Sequence, residues 1–199
     1  MGNREELLAG AKRCLLGKGY AHTTARDIAS ASGVSLAAIG YHFGSKDALM
    51  NQAVYELIGE WGDELERALT AEGTLDGDPL RRFESVMGRT IESFSGPGQR
   101  LWAAQLELVS LMQHNEELHS FLAGVQGLAT EGMAQIFLGI DPAADPETAR
   151  LAGFVLHTIF IGVMVRWFID AKQVPSAAEL AQGMKIVAER LTSGHEDEL

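Results

Sequence analysis

The chain has 199 residues, 46% of them hydrophobic, which is enough for a sizeable core; it is long for one minimal domain and short for two full-sized ones. Its single cysteine, Cys14, excludes an internal disulfide and fits a reducing compartment. The formal charge of -11 is unevenly divided: residues 1–50 carry six Lys/Arg against four Asp/Glu, a balance of +2, and the remainder carries -13, so an acidic body that repels nucleic acid bears a locally basic head.

Residues 4–17 place Leu7, Leu8, Ala11, Leu15 and Leu16 at helical spacing, a first amphipathic helix that Gly17 and Gly19 are expected to end. The preceding residues mix charges of both signs without a long apolar run, so no secretory signal is expected. Thr24 stands where a side-chain oxygen caps a second helix, with Asp27 at the reciprocal capping-box position. Gly33 ends that helix, Val34 is the apolar plug of a turn, Ser35 caps a third helix (LAAIGYHF), and Ser45 caps a fourth after Gly44. Two short helices around a tight turn are a helix-turn-helix pattern. Such short helices are marginal alone, so Tyr20, Ile28, Val34, Ile39 and Phe43 are expected to share a core with the first helix.

From Lys46 a long helix carries Leu49, Ala53, Leu57, Trp61, Leu65 and Leu69 about four residues apart and joins head to body. A loop is expected over 71–78, then helices from Pro79 to about Ser95, from Arg100 to Met112 and over 116–138. After the DPAADP loop, residues 147–171 are nearly apolar all round, and a last amphipathic helix follows Ser176. No alternating strand pattern occurs. The expected fold is all-α with about nine helices: a helix-turn-helix head over 1–47, a helical ligand-binding and dimerisation body over 48–192, and an acidic tail over 193–199.

The apolar run Leu151–Val165 is shorter than the roughly 20 residues a membrane span needs, contains His157 and is bracketed by Arg150 and Arg166, so no membrane partner is expected. A helix apolar on every side must be covered on every side, in part by a second copy of the chain through the last two helices. His114 and His119 are five apart, a poor spacing for one helical face, and Cys14 lies in the head, so neither metal nor cofactor is expected. There is no Gly-rich phosphate loop or nucleophile elbow, so no catalytic residue is assigned and the chain is read as no enzyme.

Together the Thr-x-x-Asp-Ile-Ala cap, the Gly-Val-Ser turn, the Tyr-His-Phe helix end and the Ser-Lys-Asp-x-Leu start of the fourth helix resemble the DNA-binding head of tetracycline-repressor-like (TetR) regulators. The resemblance covers residues 4 to about 55; the rest matches in helix count and length only. It implies a cytoplasmic bacterial regulator, a repressor that binds a palindromic operator as a homodimer and leaves it when a small molecule binds the body. The other reading is an all-α small-molecule binding protein or enzyme with a vestigial head.

Carried onto this chain, the resemblance makes Ser35–His42 the recognition helix. Leu36, Ala37 and Ala38 would meet base edges, Tyr41 and His42 would reach phosphate or a thymine methyl, Lys46 would contact phosphate, and Thr24 and Arg26 would touch backbone. The plain alternatives are that Tyr41 and Phe43 are core, Lys46 is merely solvated and Thr24 is only a cap. Many family members carry lysine where this chain has Leu36 and an aromatic where it has Gly40, so the reading shifts toward apolar contact. For the body, Trp102, Gln105, Leu106, Val109, Phe121, Val125, His157 and Ile161 are candidates to line an effector cavity, with ordinary core as the alternative.

Overall fold

The computed structural model describes residues 2–74 and 78–193. Among the described residues there are nine α-helices and no strand: α1 Asn3–Lys18, α2 Ala25–Ser32, α3 Leu36–Phe43, α4 Lys46–Ala71, α5 Pro79–Ser93, α6 Gln99–Leu111, α7 Glu116–Leu138, α8 Pro146–Asp170 and α9 Ala177–Thr192. Part of the expected loop (75–77) and most of the expected acidic tail (194–199) lie outside the described residues.

Hydroxyls set three of the helix starts. Thr24 Oγ1 accepts from the Asp27 amide, Ser45 Oγ from the Ala48 amide at 2.9 Å, and Ser176 Oγ from the Glu179 amide at 3.3 Å. Ser35 departs from expectation. It occupies the N-cap of α3 in extended backbone, yet its hydroxyl makes no capping bond. Gly17 does not end α1 either; the helix runs on to Lys18, and the Gly19 amide closes it on the Leu15 carbonyl at 2.8 Å.

The chain forms two compact units. One comprises Met1–Glu64 and Ser93–Gly127, the other Leu65–Glu92 and Leu128–Leu199. The first is larger than the expected 1–47 head because its core is not closed by α1–α3 alone. Leu7, Leu15, Ile28 and Ile39 share one buried cluster with Leu49, Met50, Ala53 and Val54 of α4, with Leu101, Ala104 and Leu108 of α6, and with Leu118 of α7. Eight-residue helices have too few internal bonds to persist in water, so α2 and α3 depend on this burial, roughly 1.5–3 kcal/mol for each fully buried leucine or isoleucine. Beside that core Trp102 stands edge-on to both Trp61 and Phe94, with ring centroids 4.9 and 5.7 Å away. Arg100 donates to the Leu16 carbonyl at 3.1 Å, tying α6 to the end of α1.

In the second unit α7 and α8 cross at Gly153, where a Cβ would lie 2.1 Å from the Thr130 carbonyl oxygen, a spacing only glycine permits. Arg82 of α5 donates to the Gln135 and Ile136 carbonyls at 2.7 and 2.9 Å near the end of α7, where the Gln135 carbonyl also accepts from the Gly139 amide and a cation complements the helix dipole. Within the single chain α8 is covered in part, as expected of a helix whose remaining cover is assigned to a second copy. Ala149, Gly153, Leu156, His157, Phe160, Val163 and Met164 are buried, whereas Leu151, Phe154, Val155, Val165 and Ile169 are exposed, Phe154 by 62% and Ile169 by 79%. Both sets recur at helical spacing, so α8 has two apolar faces of which its own unit covers one. By length and composition Pro146–Gln173 is apolar enough to cross a bilayer.

Candidate nucleic-acid interface

The helix-turn-helix is held by polar contacts at its corners. Asp27 Oδ2 accepts from the Thr24 amide at 2.9 Å and from its hydroxyl at 2.7 Å, completing the capping box. Lys18 pairs with the same carboxylate, and these partners, Lys18 first and Thr24 next, hold it well below the usual carboxylate range. Arg13 donates to the Ala31 carbonyl near the end of α2. Gly33 then takes φ of 71°, which turns the chain left-handed into Val34, buried as the plug of the turn.

Helical periodicity sorts the residues of α3 into two faces. Ile39 is buried, Ala38 and Phe43 pack partly buried against the head core, and Arg4 lies over the Phe43 ring at 5.0 Å. Leu36, Ala37, Gly40 and Tyr41 form the opposite face, all exposed, Leu36 by 48% and Tyr41 by 86%. Tyr41 is therefore not core, and its ring stands edge-on to His42 at 4.9 Å. Ala38 departs from the expected set: it sits one residue before Ile39 and turns toward the core, away from the exposed stripe. His42 is half-buried and lines an open cleft of about 270 Å³ with Phe43, Asn51, Gln52, Glu117 and Phe121.

The helices on either side of α3 in the chain each carry a cation in the first turn. Arg26 is exposed in the first turn of α2, where the helix dipole disfavours positive charge, so helix stability does not account for it. Lys46 opens α4. Its Nζ lies 2.9 Å from Asp47 Oδ1, 3.5 Å from the Thr23 carbonyl and 5.7 Å from the centre of the Tyr20 ring. Its side chain is 30% exposed, so it is held in place by this nest rather than waving in solvent. Thr24 and Ser35 are both exposed, the first already used as a cap and the second uncommitted to one.

Of the body candidates, Trp102, Gln105, Leu106, Val109, Phe121 and Val125 belong to the first unit, and His157 and Ile161 to the second. Trp102 is buried and its indole N–H donates to Ser93 Oγ at 3.0 Å, while Val109 is 48% exposed. Phe121 is half-buried against Tyr55, with ring centroids 6.1 Å apart. Gln105 stands out because its Oε1 is buried with no hydrogen-bond partner, an acceptor left open one turn from Trp102. His157 is buried, which pushes its imidazole below the ordinary value, toward the neutral form. Sequence reasoning missed Asn51, a polar side chain buried to 5% exposure that accepts from the Tyr20 hydroxyl at 2.7 Å. The available signal was a lone amide between Met50 and Ala53 on the inner face of α4.

Residues 7–53 match the family described as bacterial regulatory proteins, tetR family. Over 73 residues the chain is 37% identical to the HTH-type transcriptional regulator TtgR of Pseudomonas putida, a match covering 37% of this chain and 34% of the relative. To the HTH-type transcriptional repressor KstR2 of Rhodococcus jostii it is 28% identical over 201 residues, 98% of this chain and 93% of the relative. The first relatives matched are thus spanned over 34% of their length. Among solved structures, the multidrug binding protein EbrR complexed with proflavin shares the fold, with a TM-score of 0.61 and 20% identity over 92% of this chain and 97% of that one. The helix-turn-helix head is thus similar to that of the tetR family of bacterial regulatory proteins, and the all-α fold is shared with EbrR.

Proposed function

We propose that the chain is a sequence-specific DNA-binding transcription regulator and no enzyme, a repressor that holds a palindromic operator as a homodimer. The observation that carries this reading is the α3 face: Leu36, Ala37, Gly40 and Tyr41 stand in solvent on a helix whose other side is core, and the helices before and after it carry the cations Arg26 and Lys46 in their first turns. An α-helix fits the B-DNA major groove, and flanking cations and helix N-termini take phosphates. Lys46 exchanges Asp47 for phosphate when DNA arrives. Ser35, whose hydroxyl makes no capping bond, adds a hydroxyl donor, and Thr24, whose proton goes to Asp27, contributes as the cap of α2. The functional head is residues 1–47, and the remainder to 192 serves ligand and partner.

One eight-residue helix offers too few base contacts to compete with a genome of other sites, so two heads are needed about one helical turn, ~34 Å, apart or a near multiple of it. The exposed apolar faces of α8 and α9, where Phe154, Ile169, Ile186, Val187 and Leu191 are open, supply the surface for a second copy.

The effector is a small organic molecule that donates a hydrogen bond to the open Gln105 Oε1, with Leu106, Phe121 and Val125 of the same unit as candidate apolar lining. EbrR, which shares the fold, was crystallised with proflavin. A ligand releases DNA only by preferring the released conformation, and a shift from 1:99 to 99:1 needs roughly 5.5 kcal/mol of differential affinity. Helix α4 runs from the head into the second unit and is the covalent path for that preference. The regulator acts in the cytoplasm, where its operator lies.

Footprinting on the DNA flanking the chain's own gene tests the reading. A discrete protected palindrome is expected, lost on Tyr41→Ala with Lys46→Ala. Unbounded coating, or no protection at all, contradicts it.

A further inference from the structure

Within the reading that α3 enters the major groove, the geometry points to an operator half-site recognised through thymine methyl groups pressed against a flat strip of α3 made by Leu36, Ala37 and Gly40. These three residues lie at positions i, i+1 and i+4, one face of the helix, and all are exposed. None carries a side-chain donor or acceptor. In the major groove the base pairs differ in their donors, acceptors and one apolar group, the thymine 5-methyl, so a face without hydrogen-bonding atoms can discriminate only by that methyl. Tyr41 next to the strip is 86% exposed and ends in a phenol, which suits the sugar-phosphate wall.

Gly40 sharpens the inference because nothing inside the protein asks for it. Its backbone is ordinary right-handed helix, and a Cβ built there would meet no heavy atom within 4 Å. Gly10 and Gly153 differ in this respect, since a Cβ at either would strike a neighbouring helix, while Gly59, Gly62, Gly124 and other helical glycines share the open space; what sets Gly40 apart is its place on the exposed face of α3. A glycine in a helix interior is a poor helix former, so α3 carries a local handicap that the fold does not require. On the exposed face of α3, the space a side chain would fill is the space that DNA in the groove would meet. Leaving it empty lets the helix backbone approach the base edges and brings Leu36 and Ala37 into contact with methyls that a longer residue at 40 would hold away.

The test uses the full chain and duplexes it selects from a random library. The expected product is a palindrome whose half-sites hold adjacent A·T pairs. Replacing each contacted thymine by uracil removes one methyl and no hydrogen bond, and should weaken binding about fourfold per position, the worth of one buried methyl-sized group; the same change outside the half-sites should do nothing. Gly40→Ala should melt no lower than the parent and bind the selected duplex about tenfold more weakly, as an added methyl does in a filled contact. Because this variant folds at least as well, weaker binding is not a folding artefact. Uracil duplexes bound as well as the thymine originals, or Gly40→Ala binding with undiminished affinity, overturn the proposal. If the parent enriches no motif at all, the DNA-reading function fails, and this inference with it.

Discussion

The Tyr20 hydroxyl donates to Asn51 Oδ1 across 2.7 Å inside the head core, joining the segment after α1 to the inner face of α4. Both residues are buried to 5% exposure, and burial, followed by the charges of Asp47 and Glu107, keeps the phenol protonated far above its ordinary range. Tyr20→Phe removes the donor and leaves the amide oxygen in apolar surroundings. It should destabilise the protein by about 1–3 kcal/mol in urea titration, because an unmet buried acceptor carries its full desolvation penalty. An unchanged midpoint would show that water reaches Asn51.

At the α7–α8 crossing, Gly153→Ala sets a methyl against the Thr130 carbonyl and should cost about 1–3 kcal/mol of stability in the same titration. The outward-facing Gly40→Ala change should go the other way, by up to ~1 kcal/mol. The opposite signs for one substitution in two helices separate a glycine that packing requires from one that it does not.

His157 gives a pH signature. Burial depresses its folded pKa below the ordinary 6.5, so between the two values the unfolded chain binds more protons, and stability rises with pH. Its contribution is fully present above about pH 6.5 and is lost as pH falls below that. In thermal melts over pH 5–8, His157→Phe should lose less stability on acidification than the parent does. Parallel pH profiles for the two proteins would contradict this.

The exposed face of α8 predicts the assembly state. Phe154→Glu places a charge on a side chain that is 62% exposed in the single chain, so it should leave the melting temperature of the fold near the parent's. A charge left unpaired in a dimer interface is strongly destabilising. Sedimentation should therefore show the parent as a dimer and the variant as a monomer; two dimers, or two monomers, would place the interface elsewhere.

What the sequence made legible was local. Thr24, Ser45 and Ser176 announce helix starts because a cap is decided within four residues, and Gly33 announces the turn because only its own φ is at stake. Ser35 shows the limit, since a capping residue can hold its position without closing the bond. The sides of α3 were legible for Ile39, Phe43, Leu36 and Ala37 but not for Ala38, and the sides of α8 were hidden because residues 151–165 are apolar on both faces, leaving periodicity no contrast to detect. Equally hidden was the recruitment of Leu101, Leu108 and Leu118 into the head's core, a contact between segments some fifty or more residues from α4's start that no local pattern encodes. Whether Lys46 is solvated was likewise undecidable until Asp47 and Tyr20 appeared around its ammonium.

The claim that this head grips DNA through phosphate is tested most directly by the salt dependence of binding to a selected duplex, compared between the parent, Arg26→Ala and Lys46→Ala. Each contacted phosphate contributes about 0.9 to the slope of log affinity against log salt concentration. A dimer loses two contacts with each substitution, so the slope should shrink by about two for either variant while the preferred sequence is unchanged. A parent whose binding is insensitive to salt, or variants whose slopes match the parent's, would contradict the account.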